Sequence, residues 1–364
     1  MACAIVLPMS DIMMSNDLVN LPLRDYRPRP QLRLSRSLVD RAQFSAIDAH
    51  THLGRWLTDG WAVRDPRELI TLMDRCNIAA MVNLDGRWGD ELKASLTRYD
   101  RAYPGRFVTF CHVDWACLRK QGDQAWRRLA DNLAESVMAG ARGLKVWKDL
   151  GLHVRDELDR LVLPDDPRLF PLWQRAEDLG VPIAIHTADP VAFFDPLDAR
   201  NERLEELLAH PDWSYANPRF PRFERLIAAL ETVVATHPAV TFIGLHVGCY
   251  AEDLSWVDRM LDTYPNFYVD IGGRIAELGR QPRAARDLIL RHPGRILFGT
   301  DQISPTRDVY ENHFSFLETT DEYFPYSREH PPPQGRWMIY GLNLPKDILE
   351  QVYATSARQL IPGL

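Results

Sequence analysis

From Phe44 onward, short apolar runs rich in β-formers alternate with stretches whose apolar positions recur every three or four residues. That alternation is the pattern of parallel strands joined by crossover helices. Strands are expected at residues 44–52, 78–85, 107–115, 142–147, 181–187, 240–247, 267–271 and 295–301. Helices are expected at 66–77, 90–103, 123–139, 168–179, 222–237, 252–264, 282–291 and 346–358. Their ends carry chemical marks: Asp65 can cap the first and Pro66 fits its first turn, while Gly180 stops the fourth. Eight strand–helix pairs fit a closed (β/α)8, TIM-like α/β barrel over residues 44–364 better than an open sheet. Two spans, 195–219 and 302–344, are too long for simple connectors and predict insertions after the fifth and eighth strands. Residues 1–43, with Pro22, Pro28 and Pro30, read as an irregular N-terminal arm.

The expected strand ends are where the chain becomes unusual. The first closes on Asp48-Ala49-His50-Thr51-His52, and residues two apart in a strand project to one face, so His50 and His52 leave the backbone side by side. Neutral imidazoles paired on a rigid element suit a metal ion. Lys145, His186, His246 and Asp301 fall at the ends of strands four, five, six and eight. In a barrel this is the catalytic face. Ionisable groups inside apolar runs are costly unless paired or bound to metal, and six at equivalent places point to one metal site. Alternation turns Lys145 inward. There it either pairs with a buried acid such as Asp301 or, carbamylated, bridges two ions. His112 and Asp114, ending strand three, are expected to make ordinary loop contacts.

Composition narrows the field. Apolar content of 46% and charged content of 26% are ordinary for a chain with a full core, so disorder is not expected. A net charge of -7 and the lack of a basic stripe with interleaved aromatics argue against nucleic acid. Cys3, Cys76, Cys111, Cys117 and Cys249 are scattered and odd in number, as expected of reduced thiols in a cytoplasmic protein. The apolar opening, residues 2–9, is short and lacks a basic start, so neither a signal peptide nor a membrane span is expected. A small-molecule substrate is the expected partner, with self-association into a homo-oligomer left open.

With Asp48-x-His50-x-His52, Ile185-His186-Thr187, Gly244-Leu245-His246 and Phe298-Gly299-Thr300-Asp301 in place, the chain resembles the amidohydrolase superfamily of metal-dependent hydrolases, most closely its amidohydrolase-2 branch. The resemblance spans about residues 44–360 and implies a distorted (β/α)8 barrel holding one or two divalent ions. By position it implies that His50, His52, His186 and Asp301 bind the first ion. It places His246 on a second ion or on the substrate, and Lys145 at a bridging position used in binuclear members. Residues 348–358 look like the branch's last helix, although Ser356-Ala357 stands where the family usually has Asn-Ala. Zinc is the first expectation for the metal, with manganese, iron and nickel as alternatives that N/O ligands also suit.

The resemblance implies hydrolysis of an amide, ester or lactone, with Asp301 as general base and His246 at the developing oxyanion. A second expectation is a metal-dependent, non-oxidative decarboxylase of an aromatic or enol acid. A third, a non-catalytic barrel that binds metal or ligand, fits poorly with a full ligand set. Arg55 and Arg274 are candidate partners for a substrate acid. Trp56 and Phe193, with Trp61, Trp88 and Phe194, are candidates for an aromatic wall.

Overall fold

In a computed structural model the described residues are 16–29, 31–37, 39–120 and 122–364. They fall into two units, Met1–Ser35 and Arg36–Leu364. Within the first, short helical turns occupy Asn16–Val19 and Leu23–Asp25.

The second unit contains parallel strands β1 (Ala46–Thr51), β2 (Ile78–Asn83), β3 (Phe107–Thr109), β4 (Leu144–Val146), β5 (Ile183–Ile185), β6 (Phe242–Gly244), β7 (Phe267–Asp270) and β8 (Ile296–Leu297). They form runs β1-β2-β3 and β4 to β8. Irregular main-chain hydrogen bonds close both gaps. Arg142 N–H donates to Thr109 O (3.0 Å) and Lys145 N–H to Cys111 O (2.7 Å). On the other side Ala49 N–H donates to Phe298 O (2.9 Å) and Asp301 N–H to His50 O (2.7 Å). The ring of strands is therefore complete.

Alternation sorts the strand side chains into two buried sets. Ile47, Ala80, Val82, Val108, Ala184, Ile243 and Leu297 pack with Ala354, Ala357 and Ile361 of the C-terminal helices. Ala46, Met81, Leu144, Ile183, Phe242 and Val269 pack against the surrounding helices. Lys145 is in register with Ala184, so it shares the face of the first set, as alternation predicts.

The helices Pro66–Cys76, Asp123–Ala139, Phe223–Thr236, Leu254–Thr263 and Pro282–Arg291 lie where periodicity puts them. Asp65 caps the first as expected, accepting the Arg67 N–H at 2.9 Å. The last helix differs: it is interrupted by a π-helical turn over Gln351–Thr355. Most strands are shorter than expected. β6 stops at Gly244 because His246 and Val247 take the left-handed conformation, with φ of 58° and 60°. β8 is cut to two residues, and Asp301 beyond it has φ of 62°. Such backbone costs about 1–3 kcal/mol per residue and persists only where its surroundings enforce it.

Candidate metal centre

Asp48, at the end of the apolar run, does not face the other strand-end groups. It is buried and accepts from Thr300 N–H (3.0 Å), Thr300 Oγ1 (2.6 Å) and the Tyr310 hydroxyl (2.9 Å), tying β1 to the segment after β8. Burial pushes its carboxyl up to about 6 against these bonds.

That seam delivers His50 and His52 to Asp301. Both Nε2 atoms lie at Asp301 Oδ1, 3.0 Å from His50 and 3.2 Å from His52. The other nitrogen of His50, Nδ1, sits 2.6 Å from Asp270 Oδ2 at the end of β7. Burial works against a charged His50, but Asp270 and Asp301 outweigh it and raise its pKa to about 9. Burial lowers His52 to about 4 against the pull of Asp301. Asp301 is held well below the carboxylate range by His50 and His246, although burial opposes this.

His246 follows β6, and its Nδ1 lies 2.7 Å from the Gly272 carbonyl. A carbonyl only accepts, so Nδ1 carries the proton and Nε2 is left as an acceptor. Its main-chain N–H donates to Asp270 Oδ1 at 2.7 Å. Asp270 thus orients two histidines at once. Donor atoms of His50, His246 and Asp301 form one compact group able to hold a metal ion.

His186 lies beside this group, 4.4 Å from His246 between ring centroids, but its Nε2 is 3.2 Å from Asp189. Asp189 in turn takes a 2.5 Å bond from Lys148. Lys145 is buried, its ammonium making no hydrogen bond and lying 4.9 Å from the centre of the Trp147 ring. Burial lowers its pKa to about 8, and it forms no ion pair with Asp301 among the described residues.

A cavity of about 590 Å³ opens above the group, lined by His52, His186, His246, Asp301 and Arg274 with Trp56, Trp147 and Phe193 on its walls. Arg55 is elsewhere: it is paired with Glu91 at 2.5 Å and lines a separate surface hollow. Trp61, Trp88 and Phe194 also lie outside the main cavity. His112 and Asp114 make the loop contacts expected of them, to Leu84 O (2.8 Å) and the Ala116 N–H (3.1 Å). Sequence reasoning passed over Asp270, Lys148 and Asp189. Asp270 ends a strand like the other candidates, and the strand-end rule applied to β7 would have found it.

A barrel of parallel strands with histidines and a carboxylate gathered at their C-terminal ends is an arrangement able to hold a metal ion. The chain belongs to the amidohydrolase-2 family: the family model described as Amidohydrolase matches residues 47–362. No curated protein is similar enough to match. Among solved structures, 2,6-dihydroxybenzoate decarboxylase complexed with 2,6-dihydroxybenzoate is 18% identical, with 87% of this chain and 99% of that chain covered at a TM-score of 0.56. A dihydroxybenzoic acid decarboxylase from Polaromonas, with bound manganese and the inhibitor 2-nitroresorcinol, is 16% identical over 87% of this chain and 97% of its own at 0.53. An uncharacterised TIM-barrel protein from Bordetella bronchiseptica is 17% identical over 86% and 97% at 0.51. At these identities the likeness is one of fold. No helix of the described residues is long and apolar enough to cross a membrane.

Proposed function

We propose that this protein is a metal-dependent hydrolase acting on an amide, ester or lactone. The observation that carries the reading is the convergence of His50 and His52 Nε2 on one oxygen of Asp301 while Asp270 holds the far side of His50. An imidazole whose other N–H is held by a carboxylate is the usual form of a metal-ligating histidine. The residues also fit an ion chemically. His50 Nε2, both nitrogens of His52 and His186 Nδ1 are buried without a hydrogen-bond partner that satisfies them. Buried polar atoms left this way can be satisfied by a bound ion.

His50, His52 and Asp301 would hold the ion with His246. His186 is the alternative fourth ligand, released if Asp189 keeps only Lys148. Zinc is the first choice. A divalent ion there supplies Lewis acidity for a carbonyl and acidifies water. Asp301, reaching the cavity with 29% of its side chain exposed, takes the proton of the attacking water and returns it to the leaving group. His246 presents an unprotonated Nε2, which suits a ligand or proton acceptor rather than the oxyanion donor first expected. Trp56 and Trp147 line the cavity, where a planar substrate would lie against them.

A second reading, non-oxidative decarboxylation of an aromatic acid, is favoured by the cationic Arg274 in the cavity and by the dihydroxybenzoate decarboxylases that share the fold. One experiment separates the two. Metal per chain is measured, and the loaded protein is assayed for ester and lactone hydrolysis beside carbon dioxide release from dihydroxybenzoates. Hydrolysis lost on chelation and in Asp301→Asn is the expected result. Carbon dioxide release without hydrolysis transfers the assignment to the second reading, and a chain that takes up no metal removes both.

A further inference from the structure

The cavity carries three non-histidine cations, and two of them are spoken for. Arg203 is bound by Glu206 and Glu277, each at 2.5 Å, and Lys148 by Asp189. Arg274 is not. It is 7% exposed, and its side chain donates to its own neighbour, the Gly273 carbonyl, at 2.9 Å, pairing with no carboxylate among the described residues. The acids that feel its charge, Glu206 and Glu252, make their hydrogen bonds elsewhere, although one oxygen of the nearby Glu277 is left without a partner. Glu206 and Glu277 hold Arg203, and Glu252 accepts the Val191 N–H at 3.1 Å. A guanidinium taken out of water without a partner is costly, and its remaining N–H groups form a planar fork that matches a carboxylate.

We propose that Arg274 anchors a carboxylate on the substrate, so that the substrates are organic acids whose acid group is held apart from the bond that reacts. The inference rests on the cavity being the active site, as argued above. Its place supports the division of labour. Gly273 packs so closely on Asp301 that a Cβ there would stand 3.0 Å from Oδ2, so the anchor is one residue from the reacting carboxylate without pairing with it. Gln334 Nε2 donates to the same Gly273 carbonyl at 3.2 Å, which fixes the turn that carries the arginine. The ring of Trp147 on the cavity wall gives the body of the acid an apolar surface.

The test is binding of benzoate, its neutral isostere benzamide and the tetrahedral phenylphosphonate to the full-length protein, by calorimetry, with metal content measured on every sample. Wild type is expected to prefer benzoate to benzamide by about tenfold or more. Arg274→Met should abolish that preference at unchanged metal content, and Arg274→Lys should keep part of it. Equal binding of benzoate and benzamide to wild type overturns the proposal. So does a preference that survives in Arg274→Met, since the carboxylate would then sit on the metal centre, or tighter binding of phenylphosphonate than of benzoate. Should Arg274→Met fail to fold, Arg274→Lys decides: benzoate alone must weaken, and equal weakening of benzamide overturns the anchor. Because the readout is binding, loss of the hydrolase reading and loss of the anchor remain distinguishable.

Discussion

Asp270→Asn is the sharpest perturbation of the metal centre, because all three groups that reach Asp270 are donors. Oδ2 receives His50 Nδ1–H at 2.6 Å, and Oδ1 receives the His246 main-chain N–H at 2.7 Å and that of Gly272 at 3.3 Å. An amide has one acceptor end and must turn its NH2 towards one side. Turned to His50, its NH2 makes Nδ1 the acceptor and leaves the ring proton on Nε2, the nitrogen a metal ion would need free. Turned to His246, it sets donor against donor beneath a left-handed turn already under strain. Either way a hydrogen bond to a charged acceptor is lost, about 1.5–3 kcal/mol. Zinc affinity should therefore fall about 10- to 100-fold. The assay is competition with a chromophoric chelator at neutral pH, with circular dichroism to show that the variant is folded. A folded Asp270→Asn protein binding zinc within twofold of wild type would refute the account of His50 as a ligand.

Three further predictions concern groups around the centre. Arg203→Met strands Glu206 and Glu277 in the interior, and urea unfolding should show a loss of about 3–5 kcal/mol; a loss under 1 kcal/mol would mean those acids find other partners. Lys145→Met removes an ammonium that makes no hydrogen bond, so metal per chain should stay constant and the melting temperature should hold or rise; halved metal would instead make the lysine a bridge. His313 is held neutral by burial, its pKa lowered to about 4 against a bond to the Val309 carbonyl. Its unfolded form takes a proton near 6.5 and its folded form does not, so this stability is present above 6.5 and is lost as pH falls towards 4. The stability gap between wild type and His313→Gln should shrink by about 3 kcal/mol over that window. Parallel pH curves would rule this out.

What the sequence made legible follows from physics that acts locally. Helices such as Asp123–Ala139 were readable because amphipathic periodicity and caps lie within a dozen residues. His50, His52 and Asp301 were readable because ionisable groups at strand ends are rare enough to stand out. The strand limits were not, since β6 and β8 end where the backbone turns left-handed at His246, Val247 and Asp301, and β-branched Val247 has no local preference for that conformation. Arg55 looked equivalent to Arg274 by position, but an exposed bond to Glu91 across 36 residues turns it away. Likewise nothing near His186 in composition announces that Asp189 will compete for its Nε2, because that choice also depends on Lys148, 41 residues before Asp189.

The seam between β1 and the segment after β8 has a consequence for biosynthesis. Asp48 and Thr300, which tie it, are 252 residues apart, and the first histidines of the metal centre wait beside Asp48 until that tie is made. A chain emerging from the ribosome therefore carries two buried-type imidazoles for most of its synthesis with no carboxylate to complete them. An ion held as proposed would load late, coupled to closure of the ring rather than to the appearance of its first ligands. A chain truncated before Asp301 lacks the carboxylate on which His50 and His52 converge, so occupancy of this centre would report that the barrel has closed.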